Sequence, residues 1–177
     1  MLRHVPITIV SDDKPGLVEI VARCINEHEG NWLESNLAKL SGKFAGVVLI
    51  ELPKANYDTL KSALLGLRDK GIYAYLHDAG ATQGASTALK TLSFKAAGPD
   101  QKGIVKELTE LFRVHGVNVQ RLSSQRTSMP YSGEPLFEAS GVVELPQAIQ
   151  QDEFEAKLKS IGDRLALDIM LMNNEPN

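Results

Sequence analysis

The sequence predicts an α+β protein made of two tandem βαββαβ units, and three observations carry that expectation. The chain repeats itself at a fixed offset, strand and helix periodicities follow one another in the same order in each copy, and an aperiodic stretch separates the copies. The segment Ile7-Thr-Ile-Val-Ser-Asp-Asp-Lys-Pro-Gly-Leu-Val18 aligns with Phe94-Lys-Ala-Ala-Gly-Pro-Asp-Gln-Lys-Gly-Ile-Val105 at an offset of 87. Asp13 thus falls on Asp100, Gly16 on Gly103 and Asn31 on Asn118. After six extra residues in the second copy, Glu51-Leu52-Pro53 meets Glu144-Leu145-Pro146.

The elements of the first copy follow from spacing. Val5 to Val10 is short, apolar and β-branched, which predicts a strand. Leu17, Val18, Ile20, Val21, Cys24 and Ile25 fall on one face of a 3.6-residue helix, entered through Asp12-Asp13 and Pro15 and stopped at Gly30. Asn31 to Leu40 and Lys43 to Leu52 flank Ser41-Gly42 and predict a hairpin. Tyr57, Leu60, Leu64 and Leu67 form a second helical stripe ended by Gly71, and Ile72 to Leu76 is the last strand.

The second copy repeats this order. Leu92 to Ala96 is its first strand, and Ile104, Val105, Leu108, Leu111 and Phe112 its first helix, ended near Gly116. From Leu136 to Leu145, Phe137, Ala139, Gly141, Val143 and Leu145 alternate with Glu138, Ser140 and Glu144, a half-buried strand. Phe154, Leu158 and Ile161 mark the second helix, and Leu165 to Met172 closes the sheet. The expected domains are 1–76 and 92–173, joined by a flexible linker over 77–91 that is rich in Ala, Gly and Thr. The βαββαβ order gives the ferredoxin-like arrangement, two helices on one face of a four-stranded antiparallel sheet. A unit of about 80 residues is marginal alone, so the two are expected to pack pseudo-symmetrically.

Composition narrows the function classes. Lys plus Arg is 19 against Asp plus Glu 22, a formal charge of −3, so no global positive field exists to hold a phosphate backbone. Direct nucleic-acid binding is not expected. The run Ala45 to Ile50 is far below the roughly 18 apolar residues a membrane span requires. The single Cys24 cannot form an intrachain disulfide, and the amino terminus lacks a secretory stretch, so a reducing, cytoplasmic setting is expected.

The strand-helix loop Asp12-Asp13-Lys14-Pro15-Gly16 sets the unpaired backbone N–H groups of a helix start at the rim of the sheet, where they attract carboxylates. Gly16 permits close approach, Asn31 brings an amide that donates and accepts, and Asp12 or Asp13 could hold an ammonium group. These suit a free amino acid. The same residues also read as helix caps, Asp13 and Asp100 among them, with glycines that merely permit the turn.

The pattern Asp13-Lys-Pro-Gly16-Leu-Val18, then Gly30-Asn31, then Leu40-Ser-Gly-Lys-Phe44-Ala45, resembles the ACT-domain family of amino-acid-sensing regulatory modules. The tandem pair resembles its glycine cleavage system transcriptional repressor subfamily. The second copy keeps Asp100, Gly103 and Asn118 but has Lys102 at the position of Pro15 and a longer hairpin. The resemblance implies effector sites where the strand-helix loop of one module meets the first hairpin strand of a partner module. These are Asp12, Asp13, Lys14, Pro15 and Gly16 with Asn31, and an echo from Gly98, Asp100, Gly103 and Asn118. It implies a small amino acid, glycine or similar, as effector, and control of a protein partner by differential affinity. That partner is a DNA-binding transcriptional activator in the first reading and an amino-acid metabolic enzyme, tuned by an accessory subunit, in the second. A homodimer is compatible with either, and neither requires a cofactor.

Other chemistries fit less well. An RNA-recognition module needs stacking aromatics on its central strands, whereas Phe44 is followed by Gly46 and only 6 % of residues are aromatic. A phosphatase of this topology needs an arginine near the loop, and Arg23 lies too far along its helix. No nucleophile, base and oxyanion donors assemble, and His4, His28, His77 and His115 lack metal-ligand spacing, so neither catalysis nor a metal is expected. Cys24 and Trp32 read as packing residues. The loop Ser123 to Pro135 is the main difference between the copies, and Arg121, Arg126 and Tyr131 are types enriched at interfaces, which makes them candidates for partner contact.

Overall fold

The computed structural model describes residues 1–78 and 90–173, so residues 79–89 of the expected linker lie outside the described residues. The described residues form two compact units, one on each side of that segment.

In the first unit the chain runs β1 (Leu2–Asp12), α1 (Leu17–Glu27), β2 (Asn31–Leu40), β3 (Lys43–Pro53), α2 (Tyr57–Gly66) and β4 (Ile72–Leu76). The sheet order is β2-β3-β1-β4 with every pairing antiparallel, the ferredoxin-like order. Val5, Ile7 and Ile9 of β1 and Val48, Ile50 and Leu52 of β3 point alternately inward and are buried against Leu17, Val21, Cys24 and Ile25 of α1 and Leu60 and Leu64 of α2. The strand β1 outruns its apolar stretch at both ends, because β3 pairs it from Leu2 opposite Pro53 to Asp12 opposite Lys43. Backbone pairing, not apolar content, sets that length. Ser41 and Gly42 both take positive φ, 49° and 77°, the mirror turn that suits a two-residue hairpin.

The second unit repeats the order with β5 (Lys90–Pro99), α3 (Ile104–Val114), β6 (Asn118–Ser128), β7 (Pro135–Leu145), α4 (Gln151–Leu165) and β8 (Asp168–Asn173). Its sheet runs β6-β7-β5-β8. Several boundaries differ from expectation. The strand β5 starts at Lys90, since Lys90 and Thr91 already pair with Leu145 and Glu144. Leu165 belongs to α4, and the chain turns at Ala166 with φ 53° before β8 begins. This core is aromatic where the first is aliphatic: Phe94 meets Phe112 edge-on at 5.5 Å between centroids, and Phe112 meets Phe154 at 6.0 Å.

The duplication survives even in the irregularities. The register of β2 slips between Trp32 and Glu34 and that of β6 between Val119 and Arg121, a bulge at matching positions of the two copies. In each unit the helices cover one sheet face and leave the other open. Among the described residues no helix is long and apolar enough to cross a membrane.

Candidate functional site

Each strand-helix loop is a tight connection ending in a left-handed glycine. Gly16 has φ 86° and Gly103 φ 95°, and each occupies the cap position of its helix with no side-chain cap hydrogen bond. The cap reading of Asp13 and Asp100 is therefore corrected. The helix ladders open with the Ile20 N–H on the Gly16 carbonyl and the Glu107 N–H on the Gly103 carbonyl, both at 3.0 Å. The three N–H groups ahead of each, at 17–19 and 104–106, precede the ladder. A Cβ built on Gly16 or Gly103 meets no atom within 4 Å, so space is open beside both helix mouths.

The aspartates instead tie the loops to the hairpins. Asp13 pairs with Lys39 of β2, and Asp100 pairs with the Arg126 Nε of β6 at 2.9 Å. Lys39 and Arg126 are themselves related by the offset of 87, so one acid-base pair occurs in both copies. The backbone adds a matching pair of bonds, the Asp13 N–H to the Gly42 carbonyl and the Asp100 N–H to the Pro135 carbonyl, both 2.9 Å. Asp12 is held by Lys43, and that ammonium group keeps its carboxyl below the ordinary aspartate range while the carboxylate raises Lys43. Lys14 and Pro15 are exposed on the loop.

Other expected site residues stand elsewhere. Gly98 lies against the turn between α4 and β8, where a Cβ would lie 2.4 Å from the Ala166 carbonyl oxygen, so its missing side chain admits backbone rather than ligand. Asn31 pairs in register with Glu51, which pairs in turn with His4 at the opposite end of β1 from Asp12. Eight residues of strand at about 3.4 Å each put asparagine and loop about 27 Å apart within the unit. Asn118 is placed likewise, and its amide donates to Glu144 Oε2 at 2.8 Å. One unit does not bring its asparagine to its own loop.

The three candidate contact residues also separate. Arg126 lies opposite Phe137, on the helix side, and is engaged by Asp100; Arg121 lies opposite Val142, on the open side. Tyr131 is fully exposed at the hairpin tip with φ 73°. Cys24 is buried, and desolvation first, then nearby Glu27, pushes its thiol up. Trp32 packs against the first core. Among the described residues no group of three or more His, Cys, Asp or Glu side chains is gathered as a metal would require. What sequence reasoning missed is the duplicated clamp, although the basic residue recurring at 39 and 126 was its signal.

Comparison with known proteins agrees with this fold. Residues 3–71 match the ACT domain model. A protein of Galdieria sulphuraria, described only as unknown, shares the fold at a TM-score of 0.83 with 23% identity, over 99% of this chain and 100% of its own. A candidate glycine cleavage system transcriptional repressor shares it at 0.72 with 18% identity, over 98% and 99%. Among curated protein sequences none matches. The ACT domain match covers most of the first unit, and the second unit repeats the same strand order and topology, so the chain is a tandem of two ferredoxin-like units.

Proposed function

We propose that the protein is an amino-acid-sensing regulator that performs no reaction and controls transcription of glycine cleavage or related amino-acid metabolism genes through protein contact. The observation that carries this reading is the pair of open helix mouths. Gly16 and Gly103 leave room where any other residue would place a side chain, and unpaired N–H groups face a carboxylate arriving there. The Asp13–Lys39 and Asp100–Arg126 clamps hold each loop in that shape before a ligand comes. Preorganisation of this kind lowers the ordering cost of binding.

An asparagine about 27 Å from its own loop reaches the same ligand only from another unit. A second copy of the chain supplies it in this proposal, which makes binding and dimer formation mutually reinforcing. The likeness in fold to a candidate glycine cleavage repressor supports the transcriptional side, and the formal charge of −3 favours action on a DNA-binding protein over action on DNA.

The test is a thermal-shift screen of the free amino acids, since a ligand that prefers the folded state raises the midpoint by mass action. One small amino acid is expected to raise it, and its methyl ester, which lacks the carboxylate, is not. A methyl ester that stabilises equally well would remove the helix mouth from the account. Co-purification then separates targets: a transcription factor supports the reading, and an amino-acid biosynthetic enzyme contradicts its transcriptional part.

A further inference from the structure

The open face of the second sheet, opposite α3 and α4, holds a hollow of about 400 Å³ lined by Lys95, Ser123, Glu138, Ser140, Asp168 and Met170. A neighbouring hollow of about 240 Å³ shares Lys95, Ser123 and Ser140 and extends to Arg121. Strand register sorts the charges. Asp168 and Glu138 flank Ala97 in one row; Met170 and Ser140 flank Lys95 in the next; Arg121 lies beyond Val142 in the third. Successive rows are about 7 Å apart. Acids thus occupy one end, cations the middle and the other end, and hydroxyls lie between.

These charges do not cancel against one another. Among the described residues Lys95, Arg121, Glu138 and Asp168 enter no ion pair, and Glu138 accepts from the Gln125 amide at 2.8 Å. Two positive and two negative side chains sum to zero, which matches a ligand carrying one of each.

The first unit serves as an internal control. At the register positions of Lys95, Glu138, Ser140, Asp168, Met170 and Arg121 it has Thr8, Ala45, Val47, Tyr73, Tyr75 and Glu34. The same sheet therefore forms with uncharged residues at all but one of those places. The fold does not require Lys95, Glu138 or Asp168.

We propose that this hollow is a second ligand site, for a small zwitterion of the α-amino-acid class. The ligand's carboxylate lies towards Lys95 and Arg121, its ammonium group towards Glu138 and Asp168, and its carbon chain against the Met170 thioether. The site is distinct from the strand-helix loop of the same unit, whose Asp100 pairs with Arg126 on the helix side of the sheet. It stands or falls independently of the loop reading.

The test uses the full ¹⁵N-labelled chain, titrated in turn with each of the twenty protein amino acids. At least one is expected to move the backbone amides of Lys95, Ser123 and Ser140. Lys95→Gln and Asp168→Asn, both at exposed positions, are each expected to weaken that binding about tenfold or more, the scale of one charge-assisted hydrogen bond. Lys61→Gln, at an exposed position of α2 in the other unit, is expected to leave it unchanged. The N-acetyl and methyl-ester forms of the ligand found are expected to bind more weakly than the zwitterion. If none of the twenty moves those amides, or if Lys95→Gln binds as tightly as the natural chain, the site does not exist.

Discussion

Asp12 and Lys43 show how a single side-chain pair makes the loop sensitive to pH. The hydrogen bond and the charge of Lys43 hold the Asp12 carboxyl below its ordinary value. A carboxyl lowered on folding contributes stability above its unfolded value and loses it as pH falls through the folded one. Both groups are exposed, so the contribution is small and screened by salt. Carboxyl ¹³C titration is expected to place the Asp12 midpoint below that of an unpaired aspartate, and Lys43→Ala to return it to the ordinary range. Cys24 shows the opposite sign. Burial raises its thiol, so the residue stays protonated and enclosed at neutral pH. A disulfide reagent is expected to label it slowly in the native chain and at once in denaturant; rapid native labelling would show that the α1 stripe is not sealed.

At the scale of the element, glycines do two different jobs. Gly16 sits at φ 86° with open space around it, so Gly16→Ala meets no clash and costs about 1–2 kcal/mol of left-handed backbone strain. Gly141 has an ordinary backbone, but a Cβ there would lie 2.3 Å from the Arg121 carbonyl oxygen and 2.6 Å from the Phe94 ring. Neither is the free end of a flexible chain. Gly141→Ala is expected to destabilise more than Gly16→Ala, by about 1–3 kcal/mol of overpacking or more, in urea denaturation. The alternation around Gly141 was legible because Phe137, Ala139, Val143 and Leu145 share its face; the reason for glycine there was not, since it lies across the sheet on β6. The loop aspartates also admitted a reading as caps for a similar reason. An Asp ahead of a helix looks the same in sequence whether it bonds the helix N–H groups or, as here, a basic residue 26 positions onward.

Across the whole molecule the duplication is the strongest signal, and it carries more than topology. Offset 87 carries the left-handed glycine, the loop aspartate, its basic partner and the β-bulge from one unit to the other. What one sequence could not reveal is where the copies diverge in use, because Lys95 and Asp168 are ordinary surface types until register sets them on one face. The separation of Asn31 from Gly16 was hidden too: close spacing in sequence became opposite ends of a strand. The central claim is that the helix mouths receive a free amino acid, and backbone amide shifts test it most directly. With the amino acid that raises the thermal midpoint most, the amides of Leu17, Val18 and Glu19, or of Ile104, Val105 and Lys106, are expected to move. If the midpoint rises while all six stay in place, or if no amino acid raises it, the helix mouths are not the receptor.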